Sequence, residues 1–179
     1  MRAQALLPQT PAHPLSDSSQ FRALMAALWS GVVSGSPARA AVAFFPQAAY
    51  VRLKAIAGAG TDWESRLFHD YALDIAAAHA LLGAGASSAR LLAVNVTSAY
   101  VHWVEPGVCY NGIGYYEVPN ARVIYSENGV TRSFGIASMI SWRGEWYVVH
   151  LGAVLRSSEA GTVDEPAAGP GSSSHSGTC

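Results

Sequence analysis

Cys109 sits in the loop VEPGVCYNGIG, between two aromatic-rich stretches, and the chain also carries His102 and His150. A thiol beside an imidazole is the minimal arrangement for nucleophilic catalysis, because the base raises the thiolate fraction. Cysteine is equally a small apolar core residue, and spacing alone does not choose between the two readings. Four further titratable residues, His69, Asp70, Asp74 and His79, fall on one predicted helix. Asp70 and Asp74 are four apart and share a face. The histidines are ten apart and diverge by roughly 80° at 3.6 residues per turn, so the set does not converge on an ion and no metal is expected. Asp74 stands within the apolar run YALDIAAAH. A desolvated aspartate there has a raised pKa suited to proton abstraction; an aspartate tied to a partner or to the surface is the competing reading. The catalytic candidates are therefore Asp74, His102, Cys109 and His150, with no role assigned to any of them and no cofactor implied. The glycine run GAGAS at 83–87 lacks the lysine and spacing of a phosphate loop.

Binding chemistry is better signalled. Tyr100, Trp103, Tyr110, Tyr115 and Tyr116 cluster around a glycine-containing loop. Rings with one polar tip suit ligand pockets and protein interfaces, and they also pack ordinary cores. Arg132 and Ser138 fall on an otherwise apolar sheet face, where polar groups need partners, water or a ligand. Tyr71, Trp103, Tyr116, Arg132 and Ser138 are the expected ligand-binding set.

The elements that must position these residues follow from periodicity. From Ser18 to Val33 the apolar residues Phe21, Leu24, Met25, Leu28, Trp29 and Val32 recur at steps of three and four, which predicts a helix capped by Ser16, Asp17 or Ser18. Ser36-Pro37 opens a short helix that Pro46 closes. Residues 50–56 read as a strand, with a short helix as the alternative. Thr61-Asp62-Trp63-Glu64 has capping-box spacing and predicts a helix running to Gly83. Strand candidates follow around Leu92–Val96 and Tyr100–Val104. Asn128-Gly129 and Arg143-Gly144 are tight-turn signals, so 121–126, 130–142 and 145–152 form an antiparallel meander. Those turns pair Val123 with Phe134, Ile140 with Tyr147 and Ile136 with Leu151. One face then carries Ala121, Val123, Tyr125, Phe134, Ile136, Ile140, Tyr147, Val149 and Leu151 and must be covered by helices. The other carries Arg122, Met139, Trp146, Val148 and His150 around the small residues Gly135 and Ala137, and is the expected contact patch of a homodimer or another protein partner.

Composition bounds the rest. Of 179 residues, 50% are hydrophobic and 13% charged, which fits one globular domain and not a disordered chain. A net charge of -1 gives no basic field for nucleic acid. Two cysteines exclude a disulfide-rich scaffold. No apolar run is long enough for a transmembrane helix. Residues 1–17 and 157–179, rich in Pro, Gly and Ser, are expected to be disordered on either side of a single domain at 18–156. As written, the chain carries no export signal and reads as cytoplasmic; with a preceding leader it would be exported or envelope-associated.

Helices followed by a long antiparallel sheet make an α+β domain. This order, from the early helix ALWSGVVSGSPARAAVAFFP to the closing SWRGEWYVVHLG, resembles the nuclear transport factor 2-like superfamily over residues 18–152. The resemblance implies a cone-like fold with an internal pocket and a dimerising sheet face, and no functional residues. GVCYNGIGYYEVPNARVIY and SFGIASMISWRGEWYVVHL are also similar to uncharacterised actinobacterial proteins, some of them exported. The expected function is non-catalytic binding of a small apolar ligand or a protein partner. The alternative is a small-molecule isomerase, dehydratase or hydrolase with an aspartate or histidine base.

Overall fold

Ser18 starts the longest helix of the computed structural model, which describes residues 2–156 and 158–174. Its Oγ accepts a hydrogen bond from the Phe21 amide at 2.9 Å, satisfying one of the amides a helix start leaves orphaned. The helix, α2 (Ser19–Ser34), follows a short α1 (Arg2–Ala5) and ends at Gly35 with φ 61°. Pro37 begins α3 (Pro37–Ala40), which tightens into a 3-10 turn at Ala41–Ala43 before Pro46.

Residues 50–56, read from the sequence as a strand, instead begin inside a helix, α4 (Gln47–Leu53). Pro46 is its N-cap, and Ala49, Tyr50 and Leu53 bury one helical face, a pattern too short for periodicity to separate from a strand. The next helix also starts earlier than its capping-box signal. Gly58 precedes α5 (Ala59–Asp62), a π-helical turn runs over Trp63–Phe68, and α6 (His69–Leu82) completes the rod. Thr61 therefore lies within the helix, where its carbonyl accepts from Ser65 Oγ at 2.8 Å and no cap forms. Asp62 instead binds the Arg66 guanidinium at 2.6 Å and accepts from the Tyr50 hydroxyl at 2.5 Å, fastening α5 to α4.

The sheet is antiparallel, open and six-stranded: β1 (Arg90–Asn95), β2 (His102–Val104), β3 (Tyr115–Glu127), β4 (Val130–Trp142), β5 (Glu145–His150) and β6 (Asp164–Ala168). Its order is β1-β3-β4-β5, with β2 also on β3 and β6 also on β4. Both predicted hairpin turns have two central residues at positive φ, Asn128 and Gly129 at 50° and 79°, Arg143 and Gly144 at 55° and 80°. Val123 pairs with Phe134 and Ile140 with Tyr147, as the turns require. Beyond that a bulge at Val149 shifts the register: Ser138 faces His150, and the Ala137 amide donates to the Leu151 carbonyl at 3.3 Å, so the Ile136–Leu151 pairing does not form. A bulge swaps the side-chain alternation, and here it carries His150 onto the face of Ser138 and Ile140.

Both sheet faces are buried. The helices cover Ala121, Val123, Tyr125, Phe134 and Ile136, and Arg122, Ser133, Met139, Trp146 and Val148 are buried as well. Part of that second cover is the chain's own C-terminal segment. Residues 157–179 were expected to be disordered; within them, β6 pairs with Arg132–Gly135 of β4, and Gly171 passes over Arg122 and Ser133. Gly135 permits the approach: a Cβ there would collide with the Asp164 carboxylate and the Asn120 amide. Polar bonds fix this strap along its length. Asn120 Nδ2 donates to Asp164 at 2.5 Å, Arg122 donates to the Glu165 carbonyl at 3.0 Å, and Thr97 Oγ1 donates to Ser173 at 2.9 Å. The N-terminal segment is ordered too. Gln9 donates to the Ser141 carbonyl at 3.0 Å and accepts from the Arg143 amide at 2.6 Å, so residues 4–14 run along the β4–β5 hairpin. No helix among the described residues is long and apolar enough to cross a membrane.

Candidate functional site

Two hollows flank α4. The larger, about 700 Å3, is a groove between α1, α3 with its 3-10 turn, α4 and the π-helical turn. Its sides are apolar: Ala5, Leu6, Ala41, Val42, Phe44, Pro46, Ala48, Trp63 and Tyr147, with Gln47 the polar exception. Phe44 stacks on Tyr71 at 4.5 Å and Trp63 on Phe68 at 5.1 Å, so the aromatic wall is held by rings behind it. The Trp63 indole donates to the Phe45 carbonyl at 2.8 Å, and the Gln47 NH2 donates to Glu64 at 2.8 Å, so these two donors of the lining are already engaged. Leu6 and Val42 stand at the rim, 60% and 38% exposed. A volume in the range of small-molecule pockets, lined by rigid aromatics and small aliphatics, favours an apolar guest.

The smaller hollow, about 70 Å3, lies between α4 and the covered sheet face and is lined by Tyr50, Leu53, Lys54, Asn111, Tyr115, Glu117, Ser138, Ile140, Val149, His150 and Val154. Glu117 is 1% exposed; its Oε1 accepts from Ser138 Oγ at 2.9 Å, and His102 Nε2 is 3.8 Å from Oε2. Burial pushes the Glu117 carboxyl up, against the Ser138 hydrogen bond and the charges of His102 and Lys54. Burial pushes the Lys54 ammonium down, and its Nζ donates to the Cys109 carbonyl at 3.0 Å. Burial, then the charges of Arg66, Arg156 and Lys54, push the His150 imidazole down to about 4, so it is neutral at pH 7.

Of the catalytic candidates, His150 lines this hollow, His102 and Cys109 border it through Glu117 and Lys54, and Asp74 is not part of its lining. Asp74 is fully buried and is not poised as a base: its carboxylate accepts from the amides of Gly152 at 2.8 Å and Thr162 at 2.9 Å and from Arg156 at 2.6 Å. It fastens the chain after β5 to α6. Cys109, at φ 51°, is disulfide-bonded, so no thiolate is present for the Cys109/His pair. The sequence holds one other cysteine, Cys179, which lies outside the described residues. Among the described residues no group of three or more His, Cys, Asp or Glu could hold a metal ion. His79 contacts the Val32 carbonyl at 3.0 Å through Nδ1.

Of the expected ligand set, Ser138 alone lines either hollow. Tyr71 is a core residue whose hydroxyl donates to the Ala40 carbonyl at 3.0 Å. Trp103 and Tyr116 pack edge to face at 5.0 Å. Arg132, near the hairpin end, reaches outward to Glu127 at 3.1 Å. The expected interface patch is not a free surface: Arg122, Met139, Trp146 and Val148 are each at most 3% exposed within one chain, and His150 has turned inward at the bulge. The small residue at Gly135 does admit a close neighbour, and that neighbour is the strap.

Glu117 was within reach of the sequence. Extending the alternation of Ala121, Val123 and Tyr125 backwards by twos places it on the covered face, where a carboxylate demands a partner. Lys54 and the larger groove carried no such signal, because both depend on α4 being a helix. No family model matches this chain, and neither the curated proteins nor the solved structures contain a match to it.

Proposed function

We propose that the protein is a non-catalytic binding domain whose groove at Leu6, Val42, Phe44 and Trp63 takes a small apolar molecule. The single observation behind this reading is a roughly 700 Å3 hollow lined mainly by apolar side chains, in which the Trp63 indole N–H and the Gln47 NH2 already have partners. Such a surface discriminates by shape and rewards apolar area. Likeness to the nuclear transport factor 2-like superfamily belongs to the same proposal and is supported by the helices packed over an open antiparallel sheet; the groove itself lies among the helices and is not the internal pocket that the likeness implies. The disulfide at Cys109 supports maturation in an oxidising compartment. The reading of Asp74 as an enzymatic base is disfavoured, because both oxygens of its carboxylate accept hydrogen bonds, from the Gly152 and Thr162 amides and from Arg156.

Titration with 1-octanol tests the proposal. Burying eight carbons at about 0.8 kcal/mol each offers roughly 6 kcal/mol, so a dissociation constant on the order of 0.1 mM is expected. Trp63 fluorescence should change saturably, and Val42→Glu at the exposed rim should weaken the effect at least fivefold without changing the fold. A linear, unsaturable response that Val42→Glu leaves unchanged would defeat the proposal.

A further inference from the structure

Two buried oxygens in the smaller hollow lack any hydrogen-bond partner: Glu117 Oε2 and Asn111 Oδ1. Both residues are 1% exposed, and both line the same space. Their other polar atoms are committed. Glu117 Oε1 holds the Ser138 hydroxyl, and Asn111 Nδ2 donates to the Val108 carbonyl and to the Tyr115 hydroxyl, each at 2.9 Å. The Val108 carbonyl also accepts from the Asn111 backbone amide at 3.0 Å, and a flipped side chain would set Oδ1 against that carbonyl as acceptor against acceptor, which fixes the amide so that Oδ1 is the atom left over. Leaving buried acceptors unmade is costly, and two in one enclosure of about 70 Å3 call for a guest that brings donors.

Charge narrows the guest. A cation would meet the Lys54 ammonium and an anion would meet the Glu117 carboxylate, so a neutral group is favoured. The acceptors require at least two N–H or O–H donors, and Lys54 is positioned as a donor to an oxygen. We propose that this hollow is a binding site for a neutral primary amide, its NH2 shared between Glu117 Oε2 and Asn111 Oδ1 and its carbonyl facing Lys54. The space admits the three heavy atoms of a carboxamide and a methyl group at most, which makes a small free amide the occupant. This site is separate from the apolar groove and shares no lining residue with it.

The test is a titration of the full, oxidised chain with acetamide, followed by 1H–15N NMR. The side-chain amide of Asn111 and the backbone amides of Glu117 and Ser138 should shift saturably. N,N-dimethylacetamide, which has no N–H, and acetate and methylammonium, which are charged, should each bind at least tenfold more weakly. Glu117→Met should reduce acetamide affinity at least tenfold while leaving octanol binding in the groove unchanged. Should Glu117→Met fail to fold, Lys54→Met is expected to produce a comparable loss. Equal, unsaturable shifts with acetamide and its dimethyl derivative, no shifts at all, or unchanged affinity in a folded Glu117→Met or Lys54→Met protein would overturn the proposal.

Discussion

Replacing Asp74 by alanine removes the acceptor for three donors at once: the Gly152 and Thr162 amides and the Arg156 guanidinium. Asp74 is 0% exposed and the Arg156 side chain 9%, so the guanidinium loses the nearer of its two counter-charges largely out of water, with Asp70 remaining at 3.5 Å. Breaking such a pair from one side costs about 3–5 kcal/mol, and for a chain of this size each kcal/mol lowers Tm by about 2–4 °C. The expected loss is therefore roughly 6–20 °C. Chemical denaturation with the disulfide intact measures it, and hydrogen exchange should show the strap at 158–174 opening before the sheet. Because desolvation already offsets part of the pair's attraction, the double variant Asp74→Leu/Arg156→Leu should recover part of the loss, with a coupling above about 1 kcal/mol. A loss under about 1 kcal/mol, or unchanged exchange in the strap, would refute the account of Asp74 as its anchor.

Gly135→Ala should displace β6, because the added methyl meets Asp164 and Asn120; faster exchange at 164–168 with the β3–β4 amides still protected is the expected pattern. Reduction of the disulfide at Cys109 should lower stability by about 2–4 kcal/mol, read as a shifted denaturation midpoint with and without reductant. The His150 pKa is depressed in the fold, so the unfolded chain takes up its proton first as the pH drops. Its contribution is complete above the unfolded value near 6.5 and is lost as pH falls from there towards about 4, by an amount on the order of 1–3 kcal/mol; His150→Phe should flatten that part of the stability profile. Glu117 has the opposite sign: its raised pKa makes the ionised form unfavourable in the fold, so Glu117→Met should be relatively more stable at pH 8 than at pH 4.

What the sequence discloses here depends on how local the determining physics is. Ser18, Asn128-Gly129 and Arg143-Gly144 act through their own backbone, and the helix start and the two hairpin turns formed where expected. Two-residue turns likewise fix register by geometry alone, which is why Val123 meets Phe134. The bulge at Val149 is a tertiary adjustment with no local marker, and it moved His150 from an expected outer surface to an inner hollow. Composition misled at both ends. The tail at 158–174 buries little apolar surface, yet Asp74, Thr97 and the β3 pair Asn120 and Arg122 hold it by hydrogen bonds contributed from three distant parts of the chain. Polar anchoring of that kind leaves no periodicity to read, and neither did the groove, whose walls come from α1, α3, α4 and the π-helical turn.

The central claim is that the groove at Leu6, Val42 and Trp63 is a binding site for an apolar molecule. Intermolecular nuclear Overhauser effects from the methyl and methylene protons of bound 1-octanol test it most directly. The account predicts cross-peaks to the Trp63 ring and to the Leu6 and Val42 methyls, all abolished by Val42→Glu. Cross-peaks confined to other parts of the surface, or their absence at saturating octanol, would contradict it.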